Sequence, residues 1–407
     1  MANSLLTIDM ITSEALAIAH EKAQFIKTTD LQYDDQFAKE GAKVGSSLRI
    51  RKPNKYTVTS GRQLVVQDQN EQSGTLTVAT QSHVGMAFNS ADLTMKIDKF
   101  SQRYIEPAVA ALVAKIESDY IAACTKATWN LVGTPGTALN DLTVTGDARA
   151  RLNQNLAPKD GNRFVQVDSG SMGRMVNGLK GLFQDGNQIK DQYREGMIGR
   201  TAGADWYENE RLWTLPNSAD VAGEINGGTL TNGITSLTVD GLTVAPVEGM
   251  VFTIGSGSGE VGVYEINPET RAALPYLKQF VCGAGCTTTN LVFSPPIYYS
   301  STGTNAALQN CSGKPADNAD IAFVGSLSTN YIQPLMYHRE AFQFVSADLP
   351  VMKSGLCRVK QYEGISLRVW QDASIYDDQE VMRIDALYGY AALRPEWACR
   401  LIGSASA

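Results

Sequence analysis

The sequence predicts an α+β protein with a small β-barrel inserted into it. Three observations carry this. Residues 98–130 hold an apolar stripe of helical period. Residues 44–97 and 319–403 contain runs that alternate apolar and polar, as strands do. Between them, residues 221–300 lose charge, gain Gly and Thr, and break into five or six short alternating runs, the pattern of a small barrel or sandwich. A chain of 407 residues has room for about two to four domains.

The elements follow in order. Residues 4–29 read as an amphipathic helix, with Leu5, Ile8, Ile11, Ala15 and Ile18 stepping by three or four. Residues 30–40 are polar and acidic. Residues 44–97 form a long two-stranded excursion: Ser47 to Arg51, Lys55 to Thr59 and Thr75 to Ala79 alternate, and Gln67 to Ser73 make a polar tip. A hairpin of this kind is marginal alone in water, so it is expected to lie against something else. The strongest helix runs from Asp98 to about Asn130, with Phe100, Tyr104, Leu112, Ile116 and Tyr120 as its stripe. Pro107 predicts a start or a kink.

Residues 143–216 are mixed: a helix from Asp147 to Leu156, a strand from Phe164 to Val167, a helix from Ser169 to about Gly181, and an aromatic strand-like stretch around Trp206, Tyr207 and Trp213. The inserted barrel is expected over 222–300, with a core of Val251, Ile254, Val263, Ile266, Val281 and Val292. Beyond it, strands are expected near Ala322 to Gly325, Gln343 to Ser346, Cys357 to Tyr362, Ser366 to Gln371, Val381 to Leu393 and Trp397 to Ile402. A short helix is expected from Asn330 to Glu340.

Composition excludes several classes. The 35 basic and 42 acidic side chains leave a formal net charge of −7, which argues against a free-standing nucleic-acid binder of the basic-patch kind. No stretch of about 18 apolar residues suits a membrane-spanning helix. The N-terminus lacks the basic start and apolar run of a signal peptide. Six cysteines are too sparse for a disulfide scaffold and read as mostly reduced thiols of a cytosolic product.

Candidate chemistry is thin. His20, His83 and His338 sit in three separate segments, whereas a metal site needs convergent ligands. Cys282-Gly283-Ala284-Gly285-Cys286, with Cys311, has the wrong spacing for zinc and reads as a turn with two thiols, or else a local disulfide. Gly255 to Glu260 lacks the Gly-Lys-Ser/Thr ending of a phosphate loop and reads as a hairpin connection. Asp377, Asp378 and Glu380 read as a solvated turn. No nucleophile frame such as Gly-x-Ser-x-Gly occurs, so no catalytic residue, cofactor site or metal site is assigned.

One pattern stands out. Residues 1–40 carry seven acids and three lysines, net −4. Residues 41–97 carry seven bases and three acids, net +4. An acidic arm and a basic hairpin, neither able to bury a core alone, suit a clasp between subunits. Asp30, Asp34, Asp35 and Glu40 would then oppose Arg49, Arg51, Lys52 and Lys55 of a neighbour.

Three stretches give the order a family likeness. These are Arg103 to Asp119, Leu387 to Glu396 with its Arg-Pro-Glu turn, and Phe342 to Pro350. The chain resembles the major capsid proteins of tailed bacteriophages with the Hong Kong 97 fold, most of all the P22-type branch that carries an inserted barrel. The resemblance implies an N-terminal arm at 1–40, an E-loop hairpin at 41–97, a P-domain with spine helix at 98–146, an A-domain at 147–221, the inserted barrel at 222–300, a second A-domain part at 301–375 and return strands at 376–407. It implies a coat protein, not an enzyme, that self-assembles into an icosahedral shell around double-stranded DNA in the bacterial host cytoplasm. The expected partners are further copies in hexamers and pentamers, a portal, non-specifically held DNA, a possible decoration protein and, since Met1 opens directly in the arm, a separate scaffolding protein. Lys96, Lys99, Arg103 and Lys115 are candidates for the inner face towards DNA. Two other classes were weighed. A β-rich surface adhesin predicts a signal sequence or paired cysteines, and an enzyme predicts convergent titratable groups in a pocket.

Overall fold

The computed structural model describes residues 8–32, 46–64, 66–67, 71–89, 101–179, 198–217, 222–227, 230–257, 260–303, 305–362, 364–374 and 379–403. The chain divides into two compact units. The first comprises Met1–Ile50, Gly74–Ile121 and Phe342–Leu393, the second Arg51–Ser73, Ala122–Ala341 and Arg394–Ala407.

The first unit pairs helices with a six-stranded sheet. Helix α1 (Ile8–Lys22) buries Ile8, Ile11, Ala15, Leu16 and Ala19, and α2 is the short turn Phe25–Thr28. The sheet runs in the order Ser46–Arg51, Ser73–Asn89, Gln379–Ala392, Ile365–Ser374, Leu356–Tyr362, with Phe342–Ala347 also on Gln379–Ala392. A glycine is required at position 389. It faces Val345 on one side and Val78 on the other, and a Cβ there would lie 2.1 Å from the Thr77 carbonyl oxygen. The ladder slips register between Val78 and Thr80 at this close approach, as a bulge does.

The long helix α3 (Glu106–Ala127) follows a π turn at Ser101–Ile105. It starts where Pro107 predicts, since a proline in the first turn has no N–H to lose. Leu112, Ile116 and Tyr120 are buried and Tyr104 is half-buried. Phe100 lies outside the described residues. The Tyr120 ring sits 5.4 Å from Phe344 and 5.5 Å from Tyr390, so the stripe faces the sheet of its own subunit. Leu112→Ala, at a site 2% exposed, is expected to cost about 2–5 kcal/mol in urea melts. An unchanged melt would place Leu112 outside the core.

The second unit holds a second six-stranded sheet, in the order Leu131–Val132, Ala398–Leu401, Leu335–His338, Arg163–Val167, Ala204–Glu208, Arg200–Thr201. Helices α4 (Leu142–Gln154) and α5 (Ser169–Leu179) contribute Ala148, Leu152, Met172 and Met175 to its core. Helix α4 begins five residues before the expected Asp147, because Asp141 caps it by accepting from the Thr143 N–H at 2.7 Å. The helix expected over Asn330 to Glu340 is instead two strands, Thr329–Ile332 and Leu335–His338. All four residues of the latter are buried, so no period-two signal survives, and Pro334 separates the pair. The aromatic stretch near 206–216 likewise splits between Ala204–Glu208 and Thr214–Asn217.

His338 is buried, and its Nδ1 accepts from the Glu340 N–H at 3.3 Å. Its Nε2 therefore carries the proton and donates to Asp160 Oδ1 at 3.0 Å. Burial alone would raise the Asp160 carboxyl, but the hydrogen bonds from Asn162 and His338 outweigh it and hold it at about 2. A carboxylate depressed in the folded state lends stability above its unfolded value of about 4, and loses it as pH falls through the folded value. Asp160→Asn is therefore expected to flatten the acid limb of the stability profile between about pH 4 and 2. Superimposable limbs would contradict this.

A closed barrel forms from Val251–Ile254, Gln279–Cys282, Asn290–Ile297, Ile234–Asp240, Ala222–Ile225 and Asp320–Phe323. The expected range of 222–300 stops short of the last strand. Asp320–Phe323 pairs with both Val251–Ile254 and Ala222–Ile225 and closes the ring. The strands entering and leaving the barrel, Thr214–Asn217 and Thr329–Ile332, pair as a ribbon at its neck. The interior is built on Phe252, Phe280 and Phe293, with Ile254 and Val263. Ile266 is buried and Val292 only half-buried. Val251 and Val281, expected inside, are buried on the opposite face against Trp129, Leu131, Tyr331 and Ile402.

Two buried polar groups hold this unit together. Glu265 meets Lys278 Nζ at 2.7 Å and Arg151 Nη1 at 3.7 Å, joining the barrel to α4. Arg400, fully buried, donates to the Gly249 oxygen at 2.7 Å and to the Lys126 oxygen, at the end of α3, at 3.4 Å. Burial pulls its pKa down to about 9.

Candidate subunit interface

The expected acidic arm and basic hairpin are only partly within view. Asp34, Asp35 and Glu40 lie outside the described residues, as do Lys96 and Lys99. Asp30 is buried and engaged within its own chain. Its N–H donates to the Phe342 oxygen and its oxygen accepts from the Phe344 N–H, both at 3.2 Å. Its carboxylate accepts from Gln343 Nε2 at 2.8 Å. Asp30 thus pins the end of the arm to the strand Phe342–Ala347.

The hairpin bases differ from one another. Arg49 is exposed and Lys52 half-buried; Lys55 is exposed by area, yet burial of its ammonium, with Lys278 and Arg271 of its own chain nearby, lowers its pKa against the pull of Glu396. Arg51 is exposed and lies 3.6 Å from Glu71 across the hairpin. Of the inner-face candidates, Arg103 is exposed in the π turn. Lys115 is exposed on α3 and donates to Asp119 at 2.7 Å, whose hydrogen bond and charge raise the ammonium's pKa. The structure does not gather these four bases into one described patch.

Beyond Lys52, whose N–H donates to the Gln72 oxygen at 2.8 Å, the chain leaves the ladder. Residues 52–60 have no strand pairing, so the strand expected at Lys55 to Thr59 does not form. The Gln67 side chain instead exchanges hydrogen bonds with the Thr57 backbone: its Oε1 accepts from the Thr57 N–H at 2.9 Å, and its Nε2 donates to the Thr57 oxygen. Tyr56 and Val58, expected on the Lys55 to Thr59 strand, are left in solvent, as are Leu64 and Val66 further along the hairpin. Tyr56, Val58, Leu64 and Val66 are 60%, 97%, 90% and 83% exposed. Four large apolar side chains exposed within eleven residues are more than water favours. The sequence signal for Tyr56 and Val58 was the alternation of Lys55 to Thr59; Leu64 and Val66 carried none.

The described parts are thus a long helix packed on a sheet in the first unit and, in the second, an exposed hairpin segment and a barrel entered and left through a two-strand ribbon. Among the described residues no group of three or more His, Cys, Asp or Glu could hold a metal ion, and no helix is long and apolar enough to cross a membrane. The chain belongs to the P22 coat protein (gene protein 5) family, whose model matches residues 38–403. It is a major capsid protein of the tailed-bacteriophage type, with the α+β Hong Kong 97 fold, and a member of a structural family that self-assembles into the virion shell. The adhesin reading is not favoured, because the match runs from the hairpin through the barrel to the last strand.

A comparison with curated proteins finds no match. Among solved structures the chain is similar to one from Mycobacterium phage Che8, at 11% identity and a TM-score of 0.47, covering 93% of this chain and 90% of that one. It is similar to the capsid of cyanophage P-SCSP1u, at 13% identity and a TM-score of 0.43, covering 90% and 85%. A virus-like particle from Pyrococcus furiosus gives 8% identity and a TM-score of 0.41, covering 97% and 98%.

Proposed function

We propose that this coat protein builds an icosahedral shell around double-stranded DNA, and that its hairpin is completed by a neighbouring copy. The observation that carries the reading is the uncovered stretch 56–66 of the hairpin, where Tyr56, Val58, Leu64 and Val66 are exposed, a few residues along the chain from the exposed Arg51. Burying that apolar surface on a neighbour supplies the energy, and complementary charge sets register and steers encounter. Asp34, Asp35 and Glu40 of the neighbour's arm are the anionic partners; Asp30, spent on Gln343, serves as the anchor behind them. Each exposed ion pair is worth only about 0–1 kcal/mol, so many repeated contacts around a closed shell carry the assembly.

The role is structural, with no catalytic residue and no cofactor. Hexamers and pentamers of the chain, a portal, a scaffolding protein, a decoration protein and DNA held without base readout are the partners that fit it, with assembly in the host cytoplasm. Arg103 and Lys115, with Lys96 and Lys99, are the bases proposed to face the DNA, whose phosphates attract cations without regard to sequence.

Reversing Arg49, Arg51 and Lys52 to Glu is expected to block or misdirect assembly while the monomer's far-UV dichroism and melt stay unchanged. Adding Asp34→Lys and Asp35→Lys is expected to restore closed particles. Assembly should also weaken with salt, since screening acts over about 8 Å at physiological ionic strength. Normal particles from the triple reversal would rule the clasp out.

A further inference from the structure

All six cysteines are free thiols, and two of them share one turn of the barrel. Cys282 ends the strand Gln279–Cys282, opposite Phe293. The chain turns through Gly283, Ala284 and Gly285, the last in the left-handed region at φ +89°, and reaches Cys286. The Gly283 N–H donates to the Val292 oxygen at 2.8 Å and closes the turn. Cys286 Sγ then folds back over the rung the chain has just left, 3.4 Å from the Gly283 oxygen and 3.2 Å from the Val292 oxygen. Gly283 is the residue after Cys282, and Val292 is the neighbour of its register partner. Cys286 packs against the buried barrel cluster to which Cys282 belongs. Cys282 is 1% exposed, whereas Cys286 is half-buried and can be reached from solvent.

We propose that Cys282 and Cys286 form a reversible disulfide that staples the turn of the barrel when the protein passes from a reducing to an oxidising environment, with Cys286 as the attacking thiol. Virion surfaces meet such an environment once outside a cell. The interaction with Cys282 brings Cys286 down to about 7, while that interaction and burial push Cys282 up, so Cys286 is the more acidic of the two thiols. Burial raises Cys311 and Cys399 to about 12, which removes them as competitors.

The oxidant is a small-molecule disulfide such as oxidised glutathione. The Cys286 thiolate attacks one of its sulfurs and expels one small thiolate, leaving a mixed disulfide on Cys286. Cys282 passes its proton to the expelled thiolate, and its sulfur attacks Cys286 Sγ. The second small thiolate leaves and takes up the proton released when Cys286 ionised. Two protein thiols and one small disulfide become one protein disulfide and two small thiols, with two electrons passed to the oxidant.

The test uses the full-length protein, as purified subunits and as assembled particles, treated with oxidised glutathione, quenched with iodoacetamide and read by peptide mass spectrometry. The expected product is a peptide spanning Cys282 and Cys286 that is lighter by two hydrogens, unalkylated, and restored by dithiothreitol. Cys282→Ser is expected to trap glutathione on Cys286. Cys286→Ser is expected to leave Cys282 unmodified in the native state. Three results would overturn the proposal: wild type stopping at glutathionylated Cys286 with Cys282 still free, both thiols unchanged under oxidation, or Cys282 reacting first in the Cys286→Ser protein.

Discussion

Glu117→Ala is expected to release the N-terminal arm from the spine helix and to cost about 3–5 kcal/mol. Glu117 is fully buried on α3, and a single oxygen, Oε1, accepts from the backbone N–H groups of Gln24, Phe25 and Ile26 at 2.6, 2.7 and 3.3 Å. These are the first N–H groups of α2, which have no partner within that helix. A hydrogen bond to a charged acceptor is worth about 1.5–3 kcal/mol, and two of these three are short. Alanine removes the acceptor and leaves the donors buried. The Phe25 ring, 4.8 Å from Tyr120 and 6.2 Å from Phe342, would lose its fixed entry into the aromatic cluster. Glu117→Gln keeps an acceptor of similar shape without the charge, so its cost should fall between wild type and alanine. Urea melts give the energy, and faster proteolysis within residues 8–32 reports the freed arm. Equal melts for all three proteins would mean that Glu117 does not hold the arm.

Phe252→Ala is expected to cost about 3–5 kcal/mol, through lost transfer energy and the cavity left behind. The ring is fully buried, with Phe280, Phe293 and Phe323 at 5.6, 5.9 and 5.7 Å. Val292→Ala, on the half-buried side of its strand, should cost under about 1 kcal/mol. The ratio tests the strand register directly, because a slip of one residue exchanges the two faces. Comparable losses from both variants would place the barrel core on the wrong set of side chains.

The spine helix and the barrel were legible for a simple reason: each buries one face, and a single buried face leaves a period in the sequence. Where burial is two-sided the period vanishes. Val251 and Val281 looked like interior residues because they are buried, yet they pack outward on Trp129 and Leu131, while Phe252 and Phe280 fill the barrel. Leu335–His338 lost its strand signature in the same way. The closing strand Asp320–Phe323, expected near Ala322 to Gly325, was assigned outside the barrel because a long polar connection separates it from the other barrel strands.

Charges misled in the opposite direction. Asp30 read as one of four acids opposing a neighbour's bases. Its role depends on Gln343, 313 residues away, a separation no local pattern encodes. Glu117, Arg400 and Asp385 are buried for the same kind of reason. Asp385 is held by Arg368 at 2.7 Å and Arg383 at 2.5 Å. A buried ion is paid for by partners from distant strands, and only the folded chain shows them. The charge contrast between arm and hairpin was legible in full. Of the apolar residues that accompany it in the hairpin, Tyr56 and Val58 were visible only as alternation, and Leu64 and Val66 carried no signal.

Image reconstruction of particles assembled from the purified chain tests the central claim most directly. The account predicts closed, uniform shells in which Tyr56, Val58, Leu64 and Val66 are covered by an adjacent copy, with that copy's acidic arm within ion-pair distance of Arg49, Arg51 or Lys52. A protein that remains monomeric at high concentration, or shells in which the hairpin tip stays in solvent or lies on its own subunit, would contradict it.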